Sequence, residues 1–118
     1  MGEIMGWTKL IDYKEERVWL GSIFWFPADY PFEGQVVMML HLSDWDSMMI
    51  RLITITEYSA GAFCFSIFPP HADYVIENGN IGISTKWIID NWNYYLFEET
   101  NVNQIWIKES LEVDDIQS

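Results

Sequence analysis

The side chains able to do covalent or metal chemistry are few and scattered: His41, Cys64 and His71. No HxxxH, HExxH or CxxC spacing joins them, so the sequence offers no ligand set for a metal, and no metal or other cofactor is expected. Cys64 falls within A-F-C-F-S-I-F (62–68), where a thiol reads as a small buried hydrophobe. His41 sits at a strand end and reads as a partly exposed or hydrogen-bonded imidazole, while His71 follows Pro69-Pro70 in a loop and is the better placed for function. Carboxylates abound, but among eighteen acids adjacency carries little information. A glycine-rich phosphate loop, a G-x-S-x-G elbow and a basic aromatic platform are all missing from the sequence. No catalytic residue is assigned, and the chain is not expected to be an enzyme.

Recognition chemistry is better represented. In S-D-W-D-S (43–47) Trp45 stands between Asp44 and Asp46 in a short turn. Tryptophan is a frequent interface anchor, and flanking acids suit a partner rich in Arg or Lys. The alternative is a Trp45 folded back over a sheet edge. A-D-Y-P-F-E-G (28–34) repeats the pattern with Asp29, Tyr30 and Glu33. Glu57, Asp73, Glu98 and Glu99, in the other expected loops, complete the candidate contact residues.

Charge points the same way. Eighteen acidic against six basic side chains give a formal net charge of −12 in 118 residues. That disfavours nucleic acid and anionic membrane, whose phosphates need Lys or Arg, and favours a basic protein. Solubility alone is the competing explanation of an acidic surface. No run of eighteen apolar residues occurs and the N-terminal stretch lacks a signal-peptide core, so a soluble cytoplasmic protein is expected. Met5-Gly6 repeats Met1-Gly2, which leaves either methionine as a possible start.

The elements that must position these loops form one expected domain over 1–118, with 1–6 and 109–118 as frayed ends. Arg17 to Phe26, Gln35 to Leu42, Met48 to Thr56 and Ala62 to Phe68 read as four strands in meander order, separated by the breaks P-A-D-Y-P-F-E-G, S-D-W-D-S and E-Y-S-A-G. Val102 to Ile107 reads as a fifth. Ser84 is the expected N-cap of one main helix over 84–97, stapled by Ile83 and Ile88. Its stripe Ile88, Trp92, Tyr95 and Leu96 should face the sheet, leaving Trp87 and Tyr94 as the exposed aromatics. The fold class is α+β: an antiparallel sheet of about five strands with the helix on one face.

Two stretches, W-T-K-L-I-D-Y-K-E-E-R-V-W-L-G-S-I-F-W-F-P-A-D-Y-P-F-E-G (7–34) and G-I-S-T-K-W-I-I-D-N-W-N-Y-Y (82–95), resemble the immunity proteins encoded beside bacterial contact-dependent growth inhibition toxins and related polymorphic toxins. The resemblance spans a little over a third of the chain. It implies a cytoplasmic protein that binds and blocks the C-terminal domain of a cognate toxin, most often a nuclease. Two other readings stay open: a small enzyme using His71 or carboxylates under the loop from Pro27 to Gly34, and an acidic adaptor or chaperone for another basic protein. A cleft with a strongly perturbed titratable group would mark the enzyme.

Overall fold

The computed structural model describes residues 3–4, 6–28, 34–44, 46, 49–55, 64–69, 72–96 and 100–109. In chain order these form β1 (Glu3–Ile4), β2 (Trp7–Lys9), β3 (Arg17–Trp19), β4 (Ile23–Ala28), β5 (Gly34–Asp44), β6 (Met49–Thr54), β7 (Cys64–Ile67), β8 (Tyr74–Glu77), β9 (Asn80–Ser84), α1 (Thr85–Asn91) and β10 (Trp106–Lys108). Seven strands make an antiparallel sheet in the order β1-β2-β10-β4-β5-β6-β7, and β3-β9-β8 make a second. The fold is α+β, as expected. The strand count is not: ten strands in two sheets replace about five in one.

Period-two alternation explains the large sheet. On its inner face Phe24, Phe26, Val36, Met38, Leu40, Ile50, Leu52 and Ile107 are buried, one from every second position of β4, β5, β6 and β10. Against them pack Val18, Ile81 and Ile83 of the small sheet, and Ile88 and Trp92 of the helical segment. Small sheet and helix together are thus the second layer, each hiding an apolar side that water would otherwise meet. The meander β4-β5-β6-β7 follows the expected order, with a register shift between Leu42 and Asp44 and another between Leu52 and Ile53.

The departures have local causes. Arg17 to Phe26 is two strands because Leu20-Gly21 turns the chain. Gly21 holds φ +96°, a left-handed conformation that costs glycine little, and Ser22 N–H donates to the Trp19 carbonyl. β3 then pairs with β9 and leaves the large sheet. Val102 to Ile107 is not one strand, since the Asn101 side chain accepts from Asn103 N–H at 2.8 Å and winds Val102–Gln104 into a 3-10 turn before β10 begins. Tyr74–Glu77 and Asn80–Ser84 form a hairpin around Asn78 and Gly79, both at positive φ, the conformation a two-residue hairpin loop demands. Glu3–Ile4, within a stretch expected to fray, pair with Trp7 and Thr8.

The helix begins as the sequence indicates: Trp87 N–H donates to Ser84 Oγ at 3.1 Å. Its α-helical part ends at Asn91, and Trp92–Leu96 continue as a widened π turn. Asn91 Nδ2 donates to the Trp87 carbonyl at 2.9 Å, placing a side chain within the backbone ladder where the helix changes. Ile88 and Trp92 are fully buried and Leu96 packs partly on the core, but Tyr95 leaves the expected stripe and stacks on Trp87.

Candidate functional site

The turn between β5 and β6 is held by a continuous ladder from Met38–Thr54 to Leu42–Ile50, closed beyond the register shift by Asp44 opposite Met49. Asp44 and Asp46 are both exposed. Asp44 Oδ1 accepts from Asp46 N–H at 3.0 Å, an Asx-type bond between the two acids. The two acids therefore sit together. Beside them His41 faces Arg51 across the ladder, and Arg51 Nη2 lies 2.8 Å from Met49 Sδ.

Asp73 does something else. It precedes β8, and Arg17 Nη1 donates both to its carboxylate at 3.1 Å and to its carbonyl at 2.9 Å, while Ser84 N–H donates to that carbonyl at 2.8 Å. These bonds tie β3, β8 and the start of α1. Asp73 therefore belongs to the small sheet's own fastening and not to the Asp44–Asp46 turn. Asp29, Tyr30, Glu33, Trp45, Glu57, Glu98 and Glu99 lie outside the described residues, as does His71.

A second acidic surface escaped the sequence reading. Asp12, Glu15, Glu16 and Glu109 are exposed around Tyr13, whose hydroxyl donates to Glu109 Oε2 at 3.2 Å. Asp12, Tyr13, Glu15 and Glu109 line, with Lys14 and Lys108, an open cleft of about 460 Å³. Burial, and then the charges of Glu109 and Glu15, push the Tyr13 phenol above its ordinary range. The shift runs away from neutrality. This phenol stays protonated and donates a hydrogen bond; it does not exchange a proton near pH 7. Thr85 bonds join the same loop to the helix, its hydroxyl donating to the Glu15 carbonyl and its N–H to that of Glu16. Only the composition of D-Y-K-E-E (12–16) signalled this surface, because Glu109 arrives from the other end of the chain.

The opposite face of the large sheet has a different character. Trp7, Ile23, Trp25, Val37, Met39, Ile53, Ile55 and Trp106 form a second apolar cluster there. Lys9 and Lys108 lie over the rings of Trp106 and Trp7 at 5.5 and 5.6 Å. Trp25 Nε1 donates to Gln35 Oε1 at 2.7 Å. Two of the chain's six cations therefore mark this aromatic face, and two others are paired on the helical side as Arg17–Asp73 and Lys86–Asp90.

No family model, curated protein or solved structure matches this chain. Among the described residues no group of three His, Cys, Asp or Glu side chains could hold a metal ion. No helix among them is long and apolar enough to cross a membrane.

Proposed function

We propose that the chain is an immunity protein of a contact-dependent growth inhibition or related polymorphic toxin system. It binds the C-terminal domain of a cognate toxin, a basic nuclease, in the cytoplasm of the producing cell and neutralises it by occupancy, without chemistry of its own. The observation that carries this reading is the placement of charge: in a chain of formal net charge −12, Asp44 and Asp46 are exposed and joined by an Asx bond. A nuclease must be basic where it holds phosphate, and a strongly acidic partner is drawn to that groove before contact. Steering of this kind raises association to about 10⁸ M⁻¹s⁻¹ or more, against roughly 10⁵ to 10⁶ for neutral pairs, which suits an inhibitor competing with damage. Two acids already tied by a hydrogen bond lose less entropy on docking than free ones. The resemblance of residues 7–34 and 82–95 to immunity proteins supports the same reading.

The deciding experiment is co-expression with the toxin domain encoded immediately upstream. Protection of the cells, with recovery of a stable complex, is expected; a toxin domain that kills equally with and without this chain would refute the proposal.

A further inference from the structure

We propose that the rings of Trp87, Tyr94 and Tyr95, with the Asp90 carboxylate beside them, form a seat for an arginine side chain of the protein partner. The partner's identity rests on the immunity reading above; recognition of the guanidinium does not. Tyr94 is 80% exposed, a large aromatic surface left open to water. Its ring meets Tyr95 edge-on at 4.5 Å, and Tyr95 stacks on Trp87 at 5.7 Å with 19° between planes. Trp87 in turn leans on Phe68, a buried core residue, at 5.9 Å. The outer ring is thus backed by a chain of rings that ends in the core, so its orientation is held before anything binds.

The π turn has a role in this arrangement. It starts at Trp92, which stays fully buried, and it carries Tyr95 out of the core stripe three residues later, against Tyr94, which ordinary helical spacing already leaves outside it. Widened turns of this type recur at functional positions. Lys86, Asp90 and Tyr94 follow at intervals of four, which places the carboxylate and the exposed ring on one side of the helical segment. Lys86 Nζ now occupies Asp90 Oδ2 at 2.6 Å, with both side chains largely in water. An exposed pair of that kind is weak and readily exchanged. Arginine fits better than lysine: its planar fork can bond the carboxylate while its flat face lies on an aromatic ring, whereas an ammonium offers only a point charge. The charge of −12 supplies the long-range attraction for such a cation.

Short peptides of alternating Gly and Arg, or Gly and Lys, provide the test, with binding followed through the NMR signals of the tyrosine rings. The Arg peptide should bind about two- to fivefold more tightly than the Lys peptide and move the Tyr94 and Tyr95 signals first. Tyr94→Ala and Asp90→Asn should each remove that preference without lowering the melting temperature, and Lys86→Ala should enlarge it. Equal binding of the two peptides, or a preference that survives Tyr94→Ala, overturns the seat. A preference lost in Tyr94→Ala while no upstream toxin domain binds the wild type keeps the seat and removes the immunity reading. Toxin binding with no Arg preference does the reverse.

Discussion

Trp92 has no solvent exposure and lies between Phe24 and Phe26, with ring centroids 5.7 and 5.2 Å away. Removing such an indole leaves a cavity that two phenyl rings cannot fill, so Trp92→Ala should destabilise the fold by about 3–5 kcal/mol in chemical denaturation. An unchanged midpoint would contradict the packing described. Tyr13 gives a prediction of the opposite kind, visible chiefly at high pH. Its phenol is held protonated in the fold, so the stability it contributes is complete below the ordinary tyrosine pKa of about 10 and is lost as pH rises through the higher folded value. Tyr13→Phe should lower the melting temperature a little at pH 7, where the exposed bond to Glu109 is lost, and soften its fall above pH 10 or so. Parallel curves for the two proteins would show that the phenol does not titrate with folding. The sequence could identify Trp92 as core because helical spacing is local. It could not identify the Tyr13–Glu109 pair, whose members are 96 positions apart.

At the scale of elements, the β8–β9 hairpin depends on two glycines for different reasons. Gly79 supplies a φ of +79°. At Gly82 the backbone is ordinary but the Trp19 ring is not: a Cβ there would stand 2.9 Å from its carbons. Gly82→Ala should therefore cost about 1–3 kcal/mol by overpacking, measured by thermal melting, and Trp19→Ala in the same chain should relieve part of it. Additive losses would place the clash elsewhere. The E-N-G-N signal at 77–80 is a recognisable hairpin turn. The meander, the Ser84 cap and the apolar stripe were legible because alternation, turn residues and helical spacing are written within a few positions of one another. β1, β2, β3 and β10 have two or three residues each, too few for any period, and β2, β3 and β10 find partners far away in sequence. The candidate recognition site was legible only in part. Charge and turn composition picked out Asp44 and Asp46, but nothing local revealed that Asp73 would be engaged by Arg17, or that a π turn would send Tyr95 outward.

For the molecule as a whole, sign and location of charge make the test of recognition. Under the immunity proposal, Asp44→Asn with Asp46→Asn should lower the on-rate for the toxin domain most at low salt, where the screening length is long, and raise the off-rate if either acid is paired in the complex. Deleting residues 112–118 should change only the salt-sensitive on-rate, and modestly. Surface plasmon resonance at two salt concentrations separates these, and abolition of binding by the deletion alone would reverse the assignment. Under the same proposal, cells carrying His41→Ala, Cys64→Ala and His71→Ala together should stay protected; loss of protection with binding intact would argue for chemistry. One feature of the topology reaches beyond the folded state. β10 enters the large sheet between β2 and β4, pairing Trp106 with Lys9 on one side and with Trp25 on the other. Both neighbours are made by the ribosome long before it, so they wait with open hydrogen-bonding edges until residue 108 emerges. Closing the sheet across such sequence distances is slow. A nascent chain short of Trp106–Lys108 would hold two unpaired edges, and under the immunity proposal protection would begin only once synthesis had passed that strand.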